Sequence, residues 1–416
     1  MAFHIRIGKG VLGALLLAAG CTSGASDHGK VDLAGNGVDD GAGNGDTSGS
    51  NGSSTTQLVS VTNLTSDQSG NATNISGSLI NAWGLAAYQG MFWIANEGTG
   101  KVSIFDAAGK PSTGKPASDS LDLGEGITGV TLNDSTAMQI TSGDACGPAS
   151  LIFASVHGQL IGVNTDFSTT RGFVLVDRSG DGAAYTGVAT IHGPSTGNCT
   201  TGTGTTSGDQ GGQGNGECQA GPVLVLAADF FNGRIDVFDE SFHLVTSPMF
   251  QNADIPAGYA PFNVMAFKDV VYVTYAKQSD DKTDEVVGAG LGYVSAFDLS
   301  GKVLWTAKGD ELNAPWGLAL ADASSTMFSG ALLVGNFGDG HITLLDPATG
   351  AIRGQLMTAE NVPLAIEGLW AISFGAGISG TQTDGLYFTA GPADELHGMF
   401  GVITAATTTT TPPPLQ

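Results

Sequence analysis

Apolar and polar positions along the chain fall into short runs, and one pair of runs returns six times. FWIAN ending at Asn96, LIFAS at Ser155, VLAAD at Asp229, VYVTY at Tyr275, LLVGN at Asn336 and LYFTA at Ala390 are rich in β-branched and aromatic residues. Runs of that length and composition predict strands buried on both faces. Each is followed by a run that alternates: KVSIFD ending at Asp106, QLIGVN at Asn164, RIDVFD at Asp239, YVSAFD at Asp298, HITLLD at Asp346 and MFGVIT at Thr404. Alternation is the mark of a half-buried strand. Tight turns join the two, among them Asn232-Gly233 and Asp339-Gly340, which supply the positive φ of a hairpin. A third run precedes each pair: WGLAA from Trp83, TGVTL from Thr128, TGVAT from Thr186, FNVMA from Phe262, WGLAL from Trp316 and GLWAI from Gly368. In places a fourth follows, as in GFVLVD over 172–177 and HLVTSP over 243–248. No long run repeats every 3.6 residues.

Three or four antiparallel strands repeated six times predict an all-β chain folded as a six-bladed β-propeller. A chain of 416 residues would otherwise suggest several domains. The last repeat has three strands, and LVSVTNL, Leu58–Leu64, stands alone before the first. It is expected to supply the missing outer strand and to lock the ring, which also covers a sheet edge. The rival is a seven-bladed ring with a degenerate blade within 133–220.

The N-terminus carries Arg6 and Lys9, then the short apolar run Val11–Ala19 and the sequence Ala18-Ala19-Gly20-Cys21. The run is too short for a membrane-spanning helix and reads as a signal-peptide core. Small residues before a cysteine resemble a lipoprotein processing site, which implies cleavage after residue 20 and acylation of Cys21. Two or more acyl chains anchor a protein stably. Thr22, with no Asp after the cysteine, points to the outer membrane. Residues 21–56 are rich in Gly, Ser and Asp and predict a flexible, disordered tether. The body spans 57–405, and 406–416 is a disordered Thr/Pro tail. The membrane is thus a partner through the anchor alone.

With 39 acidic and 15 basic residues the formal net charge is −24. That argues against nucleic acid, whose phosphates need basic patches. After Cys21, three cysteines remain: Cys146, Cys199 and Cys218. A Cys199–Cys218 bridge would close the Gly-rich segment between them, leaving Cys146 free or competing for one of the two. Three pairings are open.

In a propeller, the loops between second and third strands and the loops between blades share one face, here called the top. Asn96, Ser155, Asp229, Tyr275 and Asn336 end second strands there. Trp83, Tyr259, Asn263, Asn313, Trp316 and Glu367 lie at the entries to inner strands. Amide and carboxylate oxygens converging from several blades suit Ca²⁺, and the sharpest set is Asn96, Asp229, Asn263, Asn336 and Glu367. Asn and Asp at strand ends also start turns with no ligand at all. Two acidic loops share the top: 279–290 with Asp280, Asp281, Asp284 and Glu285, and 391–398 with Asp394, Glu395 and His397. Trp83, Trp316 and Trp370 are expected to pack between blades. Neither a G-x-S-x-G elbow nor an H-E-x-x-H pair occurs, and the seven His are scattered.

NAWGLA, FWIANEGTG, AADFFNGRIDVFD, PAGYAPFNV, NAPWGLAL, LDPATG and LYFTAGPADELHG resemble a family of bacterial proteins of unknown function, described as β-propellers related to NHL and gluconolactonase-like repeats. The resemblance covers nearly all of 57–405. It implies the fold and carries no catalytic residues. Two functions follow as expectations. One is an envelope-anchored binding module, monomeric, for a protein or glycan. The other is a metal-dependent hydrolase of the lactonase kind, with a cation in the central channel.

Overall fold

The computed structural model describes residues 58–143, 145–193, 221–246, 249–325, 327–375, 377–381 and 384–406. They form six antiparallel blades in chain order. Blade 1 comprises Ala82–Tyr88, Met91–Asn96, Lys101–Phe105 and Leu121–Asp122. Blade 2 comprises Ile127–Leu132, Leu151–Ser155, Gln159–Val163 and Phe173–Asp177. Blade 3 has three strands, Tyr185–His192, Val223–Asp229 and Arg234–Phe238. Among the described residues its expected fourth strand shrinks to the single bridge Phe238↔Leu244. Blade 4 is built from Tyr259–Phe267, Val270–Gln278, Gly292–Asp298 and Val303–Ala307. Blade 5 is built from Pro315–Leu320, Leu332–Asn336, Ile342–Leu345 and Ile352–Gln355.

Blade 6 takes Leu369–Phe374, Leu386–Ala390 and Met399–Ala405 from the end of the chain and Leu58–Ser66 from its beginning. The N-terminal strand pairs antiparallel with the last one, from Val59↔Ala405 to Ser66↔Met399, with a bulge between Asn63 and Thr65. The expected closure is the one observed, and the ring has six blades. The region proposed for a seventh contributes a two-stranded hairpin, Gln139–Ser142 with Ala145–Pro148, inserted between the first two strands of blade 2. Residues 194–220 lie outside the described residues.

The core follows from the repeat. One apolar cluster fills each space between consecutive blades. Trp93 and Ile104 of blade 1 meet Leu151 and Phe153 of blade 2, and Leu333 and Ile342 of blade 5 meet Phe388 and Ile403 of blade 6. Because each middle strand is sandwiched by two neighbours, it is apolar on both faces, which is why its sequence runs unbroken instead of alternating. The inner strands approach closely at one recurring small position. A methyl group on Gly84 would overlap the Thr128 carbonyl of blade 2, and one on Gly187 would overlap Asn263 of blade 4.

Candidate functional site at the top face

One residue near the start of each inner strand marks the axis: Trp83, Thr128, Thr186, Trp316 and Trp370, each the second of its strand, and Phe262, the fourth of its longer strand. Trp83 of blade 1 lies 6.5 Å from Phe262 of blade 4, the blade opposite, so the contact crosses the centre of the ring. Trp83 also stacks on Trp370 at 3.7 Å and meets Trp316 edge-on at 6.0 Å. Phe230 packs on Phe262, and Phe337 on Trp370. Trp316 Nε1 reaches across to donate to the Thr186 carbonyl. The tryptophans were expected between blades. Trp370 does meet Trp83 and Trp316 of its two neighbouring blades, and the cluster also reaches across the axis to Phe262, because two neighbouring blades carry only threonine there and leave room for the other four rings. Below them, residues of all six blades line a cavity of about 20 Å³, room for about one water.

The five residues nominated for Ca²⁺ each have partners of their own. Asn96 Nδ2 donates to the Lys101 carbonyl and to Ser103 Oγ. Asn336 Nδ2 donates likewise to Glu311 and His341 carbonyls and to Thr343 Oγ1, while its Oδ1 accepts from Asn313 N–H. Both asparagines pin the turn to the third strand seven residues on. Asn263 Nδ2 donates to the Trp316 carbonyl. Asp229 accepts from Ala184 N–H, Asn232 N–H and Asn232 Nδ2. Glu367 is exposed and accepts from Ala393 N–H. Among the described residues no three His, Cys, Asp or Glu gather as metal ligands do.

What the structure does gather is a set of carboxylates above the aromatic floor. Asn81, entering blade 1, is the hub. Its Oδ1 accepts from Trp370 Nε1 at 2.9 Å. Its Nδ2 donates to Glu97 of blade 1 at 3.0 Å and to Glu395 of blade 6 at 3.2 Å. Burial, together with the carboxylates of Glu285, Glu97 and Asp284, pushes Glu395 up to about 8. Burial pushes Glu285 up to about 7, with Asp284 adding to it. Glu97 is raised as well, by burial against the opposing hydrogen bond from Asn81. The two acidic loops noted in the sequence thus come within electrostatic reach of each other, and the second is tied to blade 1 through Asn81. Ala393, Asp394 and Glu395 hold this position with three consecutive left-handed residues. Next to them, His397 Nδ1 pairs with Asp67 Oδ2 at 2.7 Å, tying the loop to the closing strand.

Sequence reasoning passed over Glu97 and Asn81. A signal for Glu97 was there: the same turn position is Val156, Phe230 and Phe337 in other blades, so a charge among apolar siblings marks it. Blade 3 holds a second unforeseen group. Tyr185 Oη donates to Asp236 Oδ2 at 2.8 Å, and Arg234 Nε to Asp236 Oδ1 at 2.6 Å. Arg234 Nη2 stands 3.5 Å from Asp229. Burial and Asp236 push the Tyr185 phenol up, so it stays a neutral donor. Burial also raises Asp229. Asp236 occupies the place of Ser103 and Thr343, so this network replaces a neutral pair with an ionic one.

Cys146, on the hairpin of blade 2, is disulfide-bonded rather than free. Cys199, Cys218 and Cys21, the residue expected to be lipidated, lie outside the described residues.

No family model matches the chain. Two uncharacterised proteins of Acanthamoeba polyphaga mimivirus are each 27% identical to it, over 352 and 351 residues. Each alignment covers 82% of this chain, and 78% and 84% of the respective relative. A solved structure of a protein of unknown function from Bacteroides thetaiotaomicron is 10% identical, covers 84% of this chain and 76% of its own, and has a TM-score of 0.49. These sequence relatives are uncharacterised, as expected, but viral where bacterial ones were expected. The expected tie to NHL and gluconolactonase-like repeats finds no support in them.

Proposed function

We propose that the protein is a binding module held at the cell envelope, in the outer membrane, by acyl chains on Cys21. The filled axis is the observation that carries this reading. A hydrolase of the lactonase kind would need space for a cation and its substrate in the channel, and the axis holds four large rings above a cavity of about 20 Å³. Ligand pockets usually enclose about 300–1,000 Å³. The five polar residues nominated for a metal each bond through side-chain atoms to the backbone of protein neighbours, and of the five only Asn96 keeps a buried oxygen without a partner among the described residues. What remains accessible is outer surface, of the kind propellers use to hold partners. The ligand is a protein or a glycan.

Two measurements test the proposal together. Metabolic labelling with an alkyne fatty acid should mark the protein and fail to mark Cys21→Ala, which should leave the membrane fraction. Crosslinking in intact envelopes should then return a discrete partner with the wild type and lose it with Cys21→Ala. An unlabelled protein, or an anchored one that crosslinks to nothing, refutes the reading.

A further inference from the structure

The closing strand, Leu58–Ser66, is paired with Met399–Ala405 along its inner edge. Its outer edge is paired only at the ends. Leu58 and Val59 lie parallel to Met357 and Thr358. Thr65 and Ser66 lie parallel to Asn74 and Ile75, and the Asn74 side chain takes the Leu64 carbonyl. From Ser60 to Asn63 no strand among the described residues lies beside it. Backbone donors and acceptors along such an edge are a ready template for another extended chain.

Beside this gap is a pocket of about 250 Å³ between blade 6 and the segment 365–367 that leads into it. Val61, Ile366, Phe388 and Met399 form its apolar wall, with Asn63 and Glu367 among its polar lining residues. Val61 and Asn63 are two residues apart and so share one face of the strand. A peptide added to the edge would set alternate side chains over that face, one of them above the pocket. Strand addition gives affinity through the backbone and specificity through such pockets.

Resting on the binding-module reading, we propose that Ser60–Asn63 and the adjoining pocket receive an extended segment of a partner protein, added parallel to the closing strand, with an aliphatic side chain in the pocket and basic residues flanking it. Three observations select this occupant. The edge is already extended in parallel at both ends, so the segment continues an existing interface. Glu367 at the pocket is exposed, and the chain carries a net charge of −24, which favours a basic segment. The gap is about four residues long and ends at the bulge between Asn63 and Thr65, too short to pair two copies of the ring along a continuous edge.

The test uses the full mature chain and a capped, fluorescein-labelled peptide, KTVLVTK. Saturable binding with a Kd of roughly 10–500 μM is expected. N-methylation of the central leucine should weaken it at least ~tenfold, the equivalent of about 1.4 kcal/mol in lost edge hydrogen bonds. Replacing both terminal lysines by glutamate should also weaken it. Val61→Lys, at a position 37% exposed, should keep the thermal midpoint and lose binding. Glu367→Lys is the second variant, expected to weaken binding of the basic peptide without touching the strand. No saturation at ~1 mM, or N-methylated and parent peptides that bind alike, overturns the docking site. If envelope crosslinks persist while the peptide fails, this site is wrong and the module reading stands. If the crosslinks are absent, that reading falls with it.

Discussion

The turn position after the second strand shows how one residue sets the character of a whole face. In blades 3 and 5 it is Phe230 and Phe337, which complete the aromatic floor. In blade 1 it is Glu97, which shares the Asn81 amide with Glu395. These carboxyls bind protons more tightly in the fold than in the unfolded chain, whose value is 4.5. Their contribution to stability is therefore full below about pH 4.5, and it is lost as pH rises through about 7 and 8. Urea unfolding should show the protein weaker at pH 8.5 than at pH 5.5, and Glu395→Gln should remove at least ~1 kcal/mol of that difference. A slope unchanged by Glu395→Gln would mean that the carboxyl titrates alike in both states. Gly84→Ala places a methyl against the Thr128 carbonyl and should cost about 1–3 kcal/mol, read as a fall in the urea midpoint. At this scale the sequence was half legible. Asn96 and Asn336 stood out as strand-end residues, and their turn-pinning role follows from local chemistry. Asn81 did not stand out, because its partners Glu395 and Trp370 are 314 and 289 residues away.

Elements were legible wherever a blade repeats and obscure wherever it departs from the repeat. Inner, middle and third strands each keep their own hydrophobic pattern from blade to blade, and that recurrence located all six sets. HLVTSP alternates well enough to look like a strand, yet among its described residues it makes one bridge, at Leu244. Alternation alone does not hold an outer strand without a longer ladder beside it. The closing strand could be read because an apolar alternating run stood alone at one end and a blade lacked a strand at the other. Its cost of removal can be set in advance. Val59 is 2% exposed in the cluster between blades 5 and 6. Val59→Ala should lower stability by about 2 kcal/mol, from two buried carbons and the void they leave. The exposed Thr62→Ala on the same strand should stay within about 0.5 kcal/mol. Equal effects in chemical denaturation would show that the strand adds ladder pairing but no core.

For the whole molecule, the decisive fact is how the ring treats its own centre. A six-bladed ring can leave a channel, and here the tryptophans at the blade entries fill it. They meet one another between neighbouring blades and reach Phe262 across the axis, where Thr128 and Thr186 yield the space. Which rings meet across a ring cannot be read from a repeat, since every blade looks locally the same. The sealed axis turns attention from channel chemistry to the rim. There the acidic loop of blade 6 is tied to blade 1 and lies within electrostatic reach of the loop of blade 4, and the closing strand leaves part of its edge open. Calorimetric titration of the mature chain with Ca²⁺, Mn²⁺ and Zn²⁺ tests this most directly. The expected result is no site tighter than about 100 μM for any of the three. One equivalent of cation bound more tightly, and lost in both Asp229→Asn and Asn263→Ala, would place a metal at the axis and contradict the account.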